Sequence, residues 1–306
     1  MSHQRRASAG RSRQPRLLLG ISVLILILLC FLGGGLFFIT SIRPDIGYGL
    51  QDALFRKREP LTMDEIAVSA SDTESVSLQD IREGQREDIL YQNSLWLINA
   101  EYPLAEDAAL MLTEYKDTGL LIDSSAVQSL QELLAAAEAQ TGDRVYLMST
   151  YRSWQEQEQE YQSDPKLAVP AGTSEHQTGL AIDLYVYQKA QREFITAKAG
   201  VWIQEHAHEY GFLIRYPFGK QAVTGVSYEP WHIRYVGKPH AALMYANRWT
   251  LEEYVEQLEA GRFYTCQGYG FSRQEAQDGR LQLPQGWKNV TVSADNTGAY
   301  ILTGEI

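Results

Sequence analysis

The sequence predicts a chain of mixed helices and short strands behind an apolar span, and three observations carry this. Residues 17–40 run without a charge. Beyond about residue 95, short apolar runs of strand character alternate with stretches of helical periodicity. Near residue 295, Asp295-Asn-Thr-Gly298 separates Asn289-Val-Thr-Val-Ser293 from Ala299-Tyr-Ile-Leu302, a hairpin signal.

The 17–40 span is dominated by Leu, Ile, Val and Phe, and 24 helical residues at ~1.5 Å each are long enough to cross a bilayer core of about 30 Å. Arg5, Arg6, Arg11, Arg13 and Arg16 precede it, and no acid occurs before Asp45. The positive-inside rule then predicts a single-pass protein in the cell membrane, with residues 1–16 as a cytoplasmic basic tail and everything after about Ser41 outside the cell. A cleaved signal peptide would have a shorter apolar region and an A-x-A-like site, which Gly33-Gly-Gly35-Leu-Phe-Phe does not offer. Residues 41–90 are crowded with Asp, Glu, Ser and Gln between 62 and 88, which predicts an acidic stalk or linker with at most a short helix near 77–86.

A main domain over 91–260 is expected next. Leu95-Trp-Leu-Ile98 reads as a strand. Asp123 or Ser124 caps a helix over 125–140, where Val127, Leu130, Leu133, Leu134 and Ala137 repeat helically and Gly142 stops it. Val145-Tyr-Leu-Met148 reads as a strand that delivers Tyr151-Arg152-Ser153 to the start of a helix over 154–161. A guanidinium at a strand end beside a helix start is well placed to meet an anion. Ala181-Ile-Asp-Leu-Tyr-Val-Tyr187 alternates as a strand, and a helix is predicted over 191–210 with Gly211 as its stop. The last core strand falls within 224–236, where His232 and Arg234 share a face. Thr250-Leu-Glu-Glu253 is a capping box that opens a final helix. Residues 261–306 are expected as a small C-terminal β appendage that packs on the domain or, alternatively, binds something in the cell wall.

Composition excludes some functions. The 306 residues carry 27 basic and 38 acidic side chains, a formal charge of -11, and the basic ones are richest at the start. No basic face for nucleic acid is expected. The two cysteines, Cys30 and Cys266, lie far apart, and with no C-x-x-C pair a thiolate metal site is not expected. No residue pattern fixes an oligomeric state.

The chemistry lies in two segments. Ser174-Glu-His176-Gln-Thr-Gly179-Leu-Ala181-Ile-Asp183 offers an imidazole and a carboxylate, with small residues between them that let backbone pass close to an ion. Glu229-Pro-Trp231-His232-Ile-Arg234-Tyr235 adds a second histidine three residues after a glutamate. Pro230 argues against a helix there, so this is not the H-E-x-x-H arrangement. Three ligands and a nearby carboxylate base are the parts of metal-assisted hydrolysis. Each part also has a plain structural reading: Glu229 as partner of Arg234, or Arg152 as partner of Glu156, Glu158 or Glu160. His206, His208 and His240 are not expected to ligate, and His208 at a helix end is placed where a cation is favourable.

Together with Tyr151-Arg-Ser…Gln157 and Tyr210-Gly-Phe-Leu-Ile-Arg-Tyr-Pro217, these segments resemble the VanY-type zinc D-alanyl-D-alanine carboxypeptidases of the LAS peptidase group, over about residues 95–255. The resemblance implies an α+β fold, a small antiparallel sheet flanked by helices as in the Hedgehog and DD-peptidase folds. It implies one Zn²⁺ held by His176, Asp183 and His232, with Glu229 as base and Arg152 at the oxyanion or a substrate carboxylate. Ser174, Gln157 and Trp231 are implied as substrate contacts. The implied activity is removal of the terminal D-Ala from peptidoglycan stem peptides, by enzymes that lower glycopeptide-antibiotic targets. An L,D-carboxypeptidase acting on tetrapeptides, a cross-link endopeptidase and a non-catalytic wall-binding module stay open as alternatives. So does a metal-stabilised signalling domain without turnover.

Overall fold

The computed structural model describes residues 42–165 and 168–306. In chain order, helix α1 (Pro44–Phe55) precedes β1 (Asp64–Ile66), β2 (Thr73–Ser77), α2 (Leu78–Arg82) and β3 (Ile89–Gln92). Then come β4 (Leu112–Glu114), β5 (Leu121–Asp123), α3 (Val127–Thr141), β6 (Val145–Ser149), α4 (Trp154–Ser163) and β7 (Ala181–Val186). Next are α5 (Lys198–His206), β8 (Phe212–Ile214), α6 (Gln221–Thr224), β9 (His232–Tyr235), α7 (Lys238–Asn247) and α8 (Leu251–Gln257). The strands β10 (Phe263–Cys266), β11 (Tyr269–Gln274), β12 (Arg280–Pro284), β13 (Lys288–Ala294) and β14 (Tyr300–Glu305) close the chain.

Four strands in the order β6-β7-β9-β8, antiparallel throughout, form the sheet that carries the candidate chemistry. This is the small antiparallel sheet expected within an α+β fold. Helices α3 and α5 bury their apolar stripes on it. Leu130, Leu133 and Ala137 share a core with Ile182, Leu184, Ile203 and Ile233, and burying each large aliphatic side chain contributes about 1.5–3 kcal/mol. Asp123 receives the Ser125 amide at the first turn, and Gly142, in the left-handed region at φ 76°, stops α3. Helices α4 and α8 both begin with complete capping boxes, Ser153 with Glu156 and Thr250 with Glu253.

A second sheet has the order β1-β10-β11-β14-β13-β3. Its β13–β14 pair is the hairpin signalled at 295–298. It packs on the main domain: Tyr264, Phe271 and Ile301 share a core with Leu213, Val236, Met244 and Tyr254. His240 of α7 bridges the seam, sharing hydrogen bonds with Tyr254 Oη at 2.6 Å and Thr303 Oγ1 at 3.1 Å.

Several expectations differ from what is seen. The span 41–90 was expected as a stalk; of its described residues, from 42 on, helices α1 and α2, a 3₁₀ turn at Ala70–Asp72, strands β1 and β2 and the start of β3 are formed. The strands pair with partners far along the chain: β1 with β10, β2 with β12, and β3 with β13 in parallel. Val76, Leu78, Ile81 and Ile89 are buried against Leu281, Leu283, Val290 and Val292. Those few apolar residues find their partners only in the C-terminal part. Leu95, Leu97 and Ile98 are buried, but the run 95–98 forms no strand. The single helix expected over 191–210 is divided. Short 3₁₀ turns at Gln191–Thr196 and Ala207–Tyr210 flank α5, because Ala197 is extended at φ -82°, ψ 146°.

The expectation of a single-pass membrane protein is also corrected. Among the described residues no helix is long and apolar enough to cross a membrane. The span 17–40 and the basic tail 1–16 lie outside the described residues, and a membrane placement is not carried forward.

Candidate active site

Register brings the ligand candidates together. Asp183 on β7 is paired with His232 on β9 and, across the other edge, with Ser149 at the end of β6. His176 sits in the 3₁₀ turn Glu175–Thr178 that leads into β7. That turn closes on Gly179 at φ +75°, and a Cβ there would lie 2.5 Å from Leu112 Cδ2 and 2.9 Å from the Asp123 amide nitrogen. Gly179 therefore serves the left-handed turn and its packing on β4 and β5, not the passage of backbone beside an ion.

Donor atoms of His176, Asp183 and His232, all three buried, lie within 4.8 Å of one another. His176 Nδ1 is 2.8 Å from the Thr150 carbonyl, so that nitrogen carries the proton and Nε2 faces Asp183 Oδ2 at 3.3 Å. His232 presents its other edge: Nδ1 lies 3.0 Å from Asp183 Oδ1 and 3.7 Å from Glu229 Oε2. Asp183 Oδ1 and His232 Nε2 are buried without a hydrogen-bond partner. The ring of Tyr216 packs 4.9 Å from that of His232.

Charges are strongly displaced here. Burial works against the Asp183 carboxylate, but His176 and His232 outweigh it and hold its pKa well below the usual range. Burial also opposes a charged His232, yet Asp183, Glu175 and Glu229 raise it to about 9. Glu229 is raised to about 7, chiefly by burial, with His232 pulling it down and Asp183 pushing it up. A carboxyl group near neutrality beside an imidazole–carboxylate cluster is suited to proton transfer at neutral pH.

Arg152 follows β6, its backbone N–H donating to the His176 carbonyl at 3.1 Å. Its guanidinium donates to Gln157 Oε1 at 2.9 Å and Ser149 Oγ at 3.2 Å, both neutral partners, and not to the glutamates of α4. Gln157 is buried, and its Nε2 donates to the Val169 carbonyl at 2.7 Å. Both ends of that amide are therefore used inside the protein, which aims Arg152. Ser174 is buried directly before the 3₁₀ turn, and Trp231 is half-buried against the sheet core, its carbonyl accepting from the Leu184 amide.

The structural alternative for Glu229 fails in one respect: Arg234 pairs with Glu175, not Glu229. Glu175 itself was not singled out by sequence. It lies between two candidate residues, and a fully buried acid there is matched by Arg215 and Arg234. Two arginines inside otherwise apolar strand-like runs were the available signal. His206 pairs with Glu209 and stacks on Trp202, and His240 is enclosed at the seam. His208 is not a helix-end cation: burial against the Tyr245 ring lowers its pKa to about 4. A cavity of about 200 Å³ beneath α1, lined by Tyr48, Phe218, Tyr245 and Trp249 among others, contains none of the candidate residues. Donor atoms, not concavity, identify this site.

Two imidazoles and a carboxylate converging on one point, with a second carboxyl group beside them, are a donor set that suits a metal ion. Residues 119–238 match the family model described as VanY, D-alanyl-D-alanine carboxypeptidase. A D-alanyl-D-alanine carboxypeptidase of Enterococcus faecium is 35% identical over 187 residues, 56% of this chain and 61% of the relative. The bifunctional D-Ala-D-Ala dipeptidase and carboxypeptidase VanXYC of Enterococcus gallinarum is 36% identical over 185 residues, 54% of this chain and 95% of that protein. Among solved structures, the vancomycin resistance D,D-dipeptidase VanXYg in complex with a D-Ala-D-Ala phosphinate analogue superposes with a TM-score of 0.61. It is 26% identical, over 76% of this chain and 98% of the other. The chain belongs to the VanY family of D-alanyl-D-alanine carboxypeptidases.

Proposed function

We propose that this chain is a zinc D,D-carboxypeptidase that removes the terminal D-Ala from peptidoglycan stem peptides. The observation that supports it most is the convergence of His176, Asp183 and His232 within 4.8 Å, with Glu229 at 3.7 Å from His232 Nδ1. The donor set fits zinc: two nitrogens and one oxygen suit it better than magnesium or calcium, and Asp183 Oδ1 is buried without a hydrogen bond. When bound, zinc supplies Lewis acidity toward the scissile carbonyl and lowers the pKa of water to about 7.

The protein's own residues do the rest. The Thr150 carbonyl fixes the His176 tautomer so that Nε2 offers its lone pair. Glu229, raised by burial, takes a proton from the attacking water and returns it to the amine of the departing D-Ala. Arg152, held by Gln157 and Ser149, supplies a planar two-point donor for the substrate's terminal carboxylate or the developing oxyanion. Ser174 and Trp231 line the approach. We carry residues 91–260 as the peptidase unit and 261–306 as a β unit that braces it.

The test is mass spectrometry of muropeptides incubated with the full chain, with and without a chelator. Loss of one D-Ala from pentapeptide stems, abolished by chelation and restored by zinc, is the expected result. Cleavage of tetrapeptide stems alone would move the function to L,D-carboxypeptidase. No cleavage of either by a zinc-loaded chain would overturn the carboxypeptidase reading and leave the cross-link endopeptidase or the wall-binding module.

A further inference from the structure

Directly behind His232 lies a buried group of four charges that the proposed reaction does not use. Arg215 and Arg234 are fully buried side chains. Arg215 donates two hydrogen bonds to Glu252, at 2.7 and 2.8 Å, and one from Nε to Glu175 Oε1 at 2.7 Å. Arg234 donates to the same Glu175 Oε1 at 2.6 Å and spends its other nitrogens on the backbone carbonyls of Ser94, Trp96 and Tyr235. Both arginines thus converge on one oxygen of Glu175 and leave the other free. A carboxylate acting only as counterion would use both oxygens, because two-point pairing with a guanidinium is the stronger arrangement.

The free oxygen, Oε2, lies 3.8 Å from His232 Nε2. Each of these two atoms is buried and without a hydrogen-bond partner. The opposite nitrogen, Nδ1, is the one beside Asp183 and Glu229. We propose that Glu175 is the positioning residue for His232. Its Oε2 accepts the Nε2 proton, which commits the ring to present Nδ1 to a metal ion, and the two arginines hold the carboxylate in place for that purpose. A closure of about 1 Å brings the pair to normal hydrogen-bond length. The inference rests on the metal reading of the His176, Asp183 and His232 cluster. It extends that reading to a residue outside the ligand set, as an orienting partner behind a ligating histidine.

The test measures zinc affinity of the full chain by competition with a chromophoric chelator, in wild type, Glu175→Gln and Glu252→Gln. The glutamine at 175 keeps the shape but turns an amide N–H₂ toward Nε2, which favours the wrong tautomer. A loss of about 10–100-fold in affinity is expected for Glu175→Gln, with Glu252→Gln staying within about threefold of wild type. Both variants remove one negative charge from the same four-charge group, so a purely structural role would lower both alike, and that result overturns the proposal. Unchanged affinity in Glu175→Gln overturns it as well. Should Glu175→Gln not fold, ¹⁵N resonances of the His232 ring in the zinc-loaded wild type decide. A slowly exchanging Nε2–H with Nδ1 ligating supports the assignment, and Nδ1–H with Nε2 ligating defeats it. A wild-type chain that binds no zinc would instead remove the metal reading itself.

Discussion

Two buried polar centres lie side by side against β9 and are built in opposite ways. In the group of Glu175, Arg215, Arg234 and Glu252, two cations meet two anions, and every guanidinium has short contacts. In the His176, Asp183 and His232 cluster, imidazoles and acids crowd together and leave Asp183 Oδ1 and His232 Nε2 without hydrogen bonds. Buried polar atoms left unpaired cost about 1–3 kcal/mol each. A fold that satisfies all of one centre but Glu175 Oε2 and leaves its neighbour incomplete has kept the second for something other than stability. Glu175 belongs to both.

The contrast can be broken experimentally, and Glu229→Ala is the largest expected effect. It should lower kcat about 10²–10⁴-fold while zinc content, read by atomic absorption, stays at the wild-type level. Activity that survives this change would remove Glu229 from the proposed mechanism. Next, Arg215→Leu leaves Glu175 and Glu252 with one cation fewer in a fully buried setting. A loss of about 3–5 kcal/mol in urea unfolding is expected, far more than a surface charge change gives.

A smaller effect concerns His240, which burial lowers to about 3. Its folded pKa lies below the ordinary value near 6.5, so its neutral ring favours the folded state above that value. The contribution is lost progressively as pH falls from 6.5 toward 3. Between pH 7.5 and pH 5, wild type should lose about 2 kcal/mol more than His240→Gln. Equal losses in both proteins would show that the ring is protonated without harm. Smallest of all, Lys238→Ala removes an exposed 3.7 Å contact to Glu132 and should change stability by less than about 0.5 kcal/mol.

The candidate ligand cluster was legible in the sequence because its arrangement is nearly local. A turn, a strand and its antiparallel neighbour convert the spacings of His176, Asp183 and His232 into one cluster, and Arg152 follows from the strand before it. The capping box at Thr250 and the 295–298 hairpin are local too. What was missed is non-local. β1, β2 and β3 are only three to five residues long, too short to carry a clear alternation, and only pairing with β10, β12 and β13 makes them strands. Glu175 reads as a surface acid until Arg215 and Arg234 are known to converge on it. The break at Ala197 was hidden because Ile195, Ala199 and Trp202 keep a helical spacing across it.

The six-stranded sheet has a consequence for how the chain is made. Ile89 pairs with Val290, and Glu65 with Tyr264. At roughly 5–20 residues per second of synthesis, β3 waits about 10–40 s for β13 to be translated. The four-stranded sheet is complete once Tyr235 has emerged, so it can assemble in the interval. During that wait Val76, Leu78, Ile81 and Ile89, which end up buried, have no partners. Newborn chains thus pass through a state with a formed peptidase core and a sticky leading segment. That segment is where holding chaperones would be needed, and where ribosome stalling before residue 288 would do most harm.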